Sequence, residues 1–205
     1  RSSDLGNRAQ GERLISLAGA DKTRVLLAAL LLSPHIPLLF MGEEFGETHP
    51  FLFFTDFHGE LAKAVREGRA KEFSGHAGHD ETVPDPNDVN TFIRSKLDWN
   101  KIATDEGKTW LRYTRHLLTL RHRYIVPLLH PGGAVEGHVL KTAPGMVAVS
   151  WRFPSGTLSL ALNIGTKPVD LPALAGETRF AWPELNDVLP PNGIVVRFAD
   201  GEASL

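Results

Sequence analysis

The chain has 205 residues, 42% of them hydrophobic and 22% charged; it is too long for a staple-dependent mini-protein and too ordinary in composition for a disordered tail or a coiled coil. Lys plus Arg (22) nearly balances Asp plus Glu (24), leaving a net charge of -2, so the basic excess that phosphate-backbone binding needs is missing and nucleic acid is not expected as a partner. With no Cys at all there is no disulfide framework, thiolate metal site or thiol nucleophile, and the composition suits a reducing compartment, so a cytoplasmic location is expected.

Taken in chain order, Arg1-Ser2-Ser3-Asp4 carries neither an initiator Met nor the apolar core of a signal peptide, and the chain is expected to be a piece of something longer or to carry a junction there. Asp21 is the expected N-cap of a helix running through Arg24 to Leu32, and the apolar run over 25–32 makes that helix apolar on every side, so it must be buried in a larger body. That run of eight residues is the longest in the chain and falls far short of the roughly 20 a membrane helix needs, so no membrane span is expected. Residues 36–41 (Ile-Pro-Leu-Leu-Phe-Met), stopped by Gly42, fit a strand buried on both faces, as in a parallel α/β sheet. Its partner strands are not evident. Helix, buried strand and helix therefore look like the tail of a repeating β/α pattern.

Residues 74–104 read as loop, with Pro84-Asp85-Pro86-Asn87 as turn chemistry. From Asp105 to about Ile125, Trp110, Tyr113, Leu117, Leu120 and Tyr124 recur at helical spacing, with Arg112, Arg115, Arg121 and Arg123 expected on the outer face and Pro127 expected to end the helix. Beyond it, Val147, Val149 and Trp151, then Leu158, Leu160, Leu162 and Ile164, alternate with other residues, as half-buried antiparallel strands do. With residues 194–198 after the Pro190-Pro191-Asn192-Gly193 turn, the last 80 or so residues are expected to form a small β-sandwich.

Several motifs fail on spacing. Gly107-Lys108-Thr109 lacks the upstream glycine of a phosphate-binding loop, since Ile102 stands there. Asp85, Asn87 and Asp88 do not alternate as calcium ligands, and Asn90 stands where glycine is required. His76, His79, Asp80 and Glu81 sit among glycines, which favours a flexible loop over a metal site. Gly42-Glu43-Glu44-Phe45-Gly46 is more informative: two carboxylates directly follow a buried parallel strand, where α/β barrels place active-site groups. In extended chain at most one of them faces a cleft easily. The aromatic run over 50–57 either stacks on sugar C–H faces or pins its loop to the body.

Residues 36–46 resemble the eighth-strand segment of the α-amylase family of glycoside hydrolases, whose members carry a Gly followed by two acidic residues there. Residues 50–57, Asp85-Pro86 with the segment 91–99, and Leu5-Gly6-Asn7-Arg8-Ala9 with Gly11-Glu12-Arg13-Leu14 narrow the resemblance to the malto-oligosyltrehalose trehalohydrolases within it. The resemblance implies an α/β plus all-β chain. Residues 1–125 would be the closing units of a (β/α)8 TIM barrel, with a loop insertion at about 45–104, and residues 126–205 a C-terminal antiparallel β-sandwich. It implies hydrolysis of the α-1,4 bond beside the terminal trehalose unit of a malto-oligosaccharide-type substrate, with no cofactor and no metal. Retaining chemistry needs a carboxylate nucleophile and a carboxylic acid about 5–5.5 Å apart; the family takes them from barrel strands four and five, which would precede residue 1. The family's third acid stands three residues before the Gly that Gly6 matches, where this chain has Ser3, and Asp4 is one position out of register, so no catalytic residue is assigned here. Gly6, Asn7 and Arg8, with Glu43 and Glu44, are the implied substrate-binding residues, and the isolated chain is expected to be inactive. The alternatives are a non-catalytic carbohydrate-binding or interaction module, and another hydrolase of the family, against which the 51–57 and 94–99 segments argue.

Overall fold

A computed structural model of the chain describes residues 8–73, 83–129, 135–184 and 188–201. They fall into two compact units, Arg1–Ala18 with Gly42–Lys108, and Gly19–Met41 with Thr109–Leu205. These units do not coincide with a division at residue 125.

In the first unit, α1 (Leu14–Ala18), α3 (Gly59–Phe73) and α4 (Val89–Ser95) alternate with 3-10 turns at Glu43–Phe45 and Trp99–Ala103. The described part of the stretch 45–104, expected as a loop insertion, thus carries the helices α3 and α4 between its loops. Its α4 is started by Asp88, whose carboxylate accepts from the Asn90 N–H at 2.8 Å, a cap that compensates for the short, polar sequence. The fully buried large apolar side chains of this unit are Phe45 and Leu52, among the described residues; Arg13, Glu47, Arg69, Thr91 and Ser95 are buried beside them. Hydrogen bonding rather than apolar packing therefore fixes this unit.

The second unit holds α2 (Ala20–Leu32), α5 (Asp105–Leu120, entering from the first unit), a π-helical turn at Arg121–Ile125, α6 (Val126–Leu129) and seven strands. Strands β1 (Glu136–Ala143), β2 (Met146–Phe153), β3 (Gly156–Asn163), β7 (Gly193–Asp200) and β5 (Glu177–Trp182) form one antiparallel sheet in the order β1-β2-β3-β7-β5; β4 (Val169–Asp170) and β6 (Val188–Leu189) form a two-stranded ribbon. Of the expected β-sandwich the structure shows this antiparallel sheet, with the short ribbon and its adjoining segment covering Met146, Ala148, Ala161 and Val195 through Leu174 and Leu189.

The opposite face of the sheet lies under helices. Leu158, Val196, Phe180 and Phe198 share one lining with Leu32, Leu120, Tyr124 and Ile125. On α5, Tyr113 meets Phe180 and Trp182 at 6.1 and 5.8 Å between ring centres. Central strand β3 is buried on both faces rather than one, down to Ser159 and Asn163. Their polarity is satisfied inside: Ser159 Oγ bonds Ser150 Oγ at 3.2 Å, and Asn163 Nδ2 donates to the carbonyls of Lys167 and Leu189. The strands after residue 126 consequently share their core with α2 and α5 instead of closing on themselves.

Three local expectations are corrected. Asp21 does not cap α2; Gly19 holds that position in a left-handed conformation (φ 81), and Asp21 pairs with Arg24 at 2.8 Å. Pro127 does not end the helix, because the π-helical turn before it shifts the bonding register and the chain stays helical to Leu129. Arg121 is not on the outer face: it is buried, and its guanidinium donates to the carbonyls of Leu31 (2.8 Å) in the last turn of α2 and of Ser33 (2.7 Å) and His35 (2.8 Å) just beyond it.

Residues 36–41 form no strand. Ile36 and Leu38 are 93% and 86% exposed, and no described strand offers them a hydrogen-bonding edge, without which extended chain is not a sheet. No helix among the described residues is long and apolar enough to cross a membrane.

Candidate functional site

The carboxylate pair of the 42–46 motif sits in a tight turn whose two ends are glycines in the left-handed region, Gly42 (φ 91) and Gly46 (φ 72). At Gly42 a side chain is excluded twice over, since a Cβ there would lie 2.6 Å from the Glu47 Cβ. The turn closes through the Phe45 N–H to the Gly42 carbonyl (3.2 Å) and the Gly46 N–H to the Glu43 carbonyl (3.2 Å). Glu44 folds back, its Oε2 accepting from the Gly42 N–H at 3.0 Å. Glu43 and Glu44 are both half-buried and lie in a 3-10 turn rather than directly after a strand.

Beneath them lies a group that the motif search missed. Glu47 is 2% exposed; its Oε1 accepts from the N–H groups of Thr48 (2.7 Å) and His49 (2.8 Å) and its Oε2 from the N–H of Asp98 (2.7 Å). Burial works to raise its pKa, but the backbone donors of His49, Asp98 and Thr48, aided by the charge of His49, outweigh it and hold the carboxyl below its ordinary value. Arg13, also buried, donates from Nε to the His49 carbonyl at 2.8 Å. Burial lowers the Arg13 pKa, and attraction to Glu47, Glu43 and Glu44, in that order, opposes the shift. Arg13 is thus a buried cation on which all three acids of this segment act. Its signal in the sequence was its place in the Gly11-Glu12-Arg13-Leu14 segment; Glu47, one residue beyond Gly46, had none.

The same contacts bring the chain near residue 8 alongside the turn. The Phe51 N–H donates to the Gly11 carbonyl at 2.7 Å, and the Gly11 N–H to the Arg8 carbonyl at 3.1 Å. Arg8 itself pairs with Glu12 at 3.3 Å, and its carbonyl accepts from Arg69 Nη2 at 3.3 Å. Gly6 and Asn7 lie outside the described residues, as do His76, His79, Asp80 and Glu81.

The aromatic run after the turn is pinned. Phe54 meets Phe51 and Phe92 edge-on at 5.8 and 5.2 Å, and Arg69 lies over Phe53 at 5.1 Å. The Leu52 N–H donates to Ser95 Oγ, and the Thr55 hydroxyl and the Phe57 N–H donate to Asn87 Oδ1. Asp85 accepts from Arg66 at 2.6 Å and from the Asn87 N–H at 3.0 Å. Gly107 lies in α5, where a Cβ would clash with the Lys101 carbonyl. No group of three or more acids and histidines with metal-holding geometry occurs among the described residues.

No family model matches the chain. Among curated proteins, the malto-oligosyltrehalose trehalohydrolase of Deinococcus radiodurans is 46% identical over 127 residues, 62% of this chain and 21% of that protein. The malto-oligosyltrehalose trehalohydrolase of Brevibacterium helvolum is 36% identical over 184 residues, 89% of this chain and 30% of that protein. A crystal structure of a candidate α-amylase from Salmonella typhimurium is 64% identical and superposes with a TM-score of 0.91 over 97% of this chain and 34% of its own. The chain thus spans about a third or less of the proteins it matches. By sequence and by fold it is recognisable as a relative of the malto-oligosyltrehalose trehalohydrolases, corresponding to the C-terminal part of these α-amylase-family glycoside hydrolases.

Proposed function

We propose that this chain is the substrate-positioning C-terminal part of a hydrolase that cleaves the α-1,4-glucosidic bond beside the terminal trehalose unit of malto-oligosyltrehalose, releasing trehalose in the cytoplasm. It rests on one observation above all: two half-buried acids, Glu43 and Glu44, stand in a glycine-bounded turn directly before the buried Glu47, whose carboxylate is tied to three backbone N–H groups. Such a turn presents acceptors for sugar hydroxyls in a fixed geometry. In the complete barrel residues 1–125 then supply the closing units, and 36–41, no strand among the described residues, becomes one beside its barrel neighbours. The exposure of Ile36 and Leu38 fits that assignment, since a barrel strand gives both its edges and both its faces to neighbours. The resemblance assigns substrate contact to Gly6, Asn7 and Arg8 as well. Nucleophile and general acid come from outside the chain, so its own residues bind and orient.

The test is a hybrid in which this chain replaces the matching part of the Deinococcus radiodurans trehalohydrolase. Trehalose release from maltotriosyltrehalose is expected from the hybrid and not from the chain alone. E43Q and E44Q in the hybrid should raise KM or lower kcat about tenfold each, the scale of one charge-assisted hydrogen bond. Release by the chain alone, or Gln variants indistinguishable from the parent hybrid, would overturn the proposal.

A further inference from the structure

The first unit leaves a large aromatic ring in water beside the carboxylate turn. Trp99 is 65% exposed, whereas Trp110 is 1% exposed, and an indole is a large apolar surface that folding ordinarily removes from solvent. This exposure is not the slackness of a free loop. Trp99 opens the 3-10 turn Trp99–Ala103, which Asp98 starts: its carboxylate accepts from the Asn100 N–H at 3.1 Å and its carbonyl from the Lys101 N–H at 3.1 Å. Three successive residues seat this turn on the acid turn. Leu97 lies against Gly42, so close that a Cβ there would come 3.1 Å from Leu97 Cδ2. The Asp98 N–H donates to Glu47 Oε2 at 2.7 Å. The Trp99 ring meets that of Phe45 at 5.9 Å between centres, tilted by 40°. Phe45 is fully buried and directly follows Glu43 and Glu44. It anchors the indole as an aromatic partner and leaves most of the ring open.

A seated, water-exposed ring and two half-buried carboxylates on the neighbouring turn are complementary parts of one recognition chemistry. A sugar has an apolar C–H face that an indole covers and hydroxyls that donate to carboxylate oxygens. Carboxylates alone accept from any donor; the ring adds the requirement for a flat apolar face. We propose that Trp99 is a specificity-determining residue of the sugar site, stacking on the glucose unit whose hydroxyls Glu43 and Glu44 bind. The choice of a sugar rests on the proposed function; the seating of Trp99 on the acid turn does not.

The test has two arms. In the Deinococcus radiodurans hybrid, W99A should raise KM for maltotriosyltrehalose about tenfold, the scale of one lost aromatic contact, with kcat held within about twofold. W99F keeps a flat ring and should recover most of that loss. A merely structural role would instead lower the urea midpoint of both variants and leave KM alone. In the full chain labelled with 5-fluorotryptophan, the fluorine resonance that W99F removes should shift saturably on titration with maltotriosyltrehalose, and less so in E43Q and E44Q. An unchanged KM in W99A, a fall in kcat in place of the rise in KM, W99F no better than W99A, or a Trp99 resonance that the sugar leaves unmoved would overturn the assignment. Trehalose release by the hybrid with KM unchanged in W99A removes the role of Trp99 and leaves the proposed function standing. A Trp99 resonance that shifts with sugar while the hybrid releases no trehalose does the reverse.

Discussion

Replacing Arg121 with Met should cost this chain most of the order at the exit of α2. The guanidinium makes three hydrogen bonds of 2.7–2.8 Å to the carbonyls of Leu31, Ser33 and His35, from a side chain only 8% exposed. Burial depresses the Arg121 pKa, but an arginine stays protonated through any usable pH range. Hydrogen bonds to a charged donor are worth about 1.5–3 kcal/mol each. Two of the three acceptors are partly wet and the Met stem keeps the apolar packing, so the low end, about 1.5 kcal/mol for each bond, applies and the loss should be about 4–5 kcal/mol. R121K keeps the charge but loses the fork, and should recover about half. Urea unfolding monitored by Trp fluorescence measures this. Trp151 lies 6.1 Å from the His35 ring and reports on the affected end. The midpoint should fall at constant m-value. A loss under about 1 kcal/mol in R121M, or R121K no better than R121M, would refute the account of Arg121 as the clamp on residues 31–35.

E47Q keeps the acceptor that Thr48 and His49 use but turns an amide N–H₂ toward the Asp98 N–H; about 2–3 kcal/mol should be lost at pH 7 by denaturant titration. Because the folded pKa of Glu47 lies below its unfolded value, its contribution is complete above the ordinary value of 4.5 and disappears as pH falls through the folded value. The acid limb of stability against pH should therefore be shallower in E47Q. G42A, with φ 91 and a Cβ 2.6 Å from that of Glu47, should lower the thermal midpoint by the equivalent of about 2 kcal/mol or more, and a G42A chain as stable as the parent would remove the turn's strain argument. The double change I36S/L38S should leave the stability of this chain within about 0.5 kcal/mol, since both side chains are exposed, yet abolish activity in the hybrid, where the proposed barrel sets them against neighbouring strands.

Periodicity carried the elements whose partners lie in the same chain. The Trp110, Tyr113, Leu117 and Tyr124 stripe was legible because it packs on β5 and β7, and the alternation over 158–164 because β3 has sheet neighbours on both sides. It misplaced Arg121 because spacing locates a residue on a helix face but cannot show that the end of another helix arrives there needing donors. It also missed the helical cover of the β-sheet: Ser159 and Asn163 look solvent-facing by residue type, and only their internal hydrogen bonds explain their burial. In the candidate site, the adjacent pair Glu43 and Glu44 was visible as a motif, whereas Glu47 and Arg13 acquire meaning only through backbone groups far away in sequence, the Asp98 N–H and the His49 carbonyl.

The most direct test of the central claim is product analysis of the Deinococcus radiodurans hybrid on maltotriosyltrehalose, with the chain alone run in parallel. The account predicts free trehalose and maltotriose from the hybrid and intact substrate from the chain alone. A folded hybrid that releases no trehalose, or a chain that releases it unaided, would contradict it.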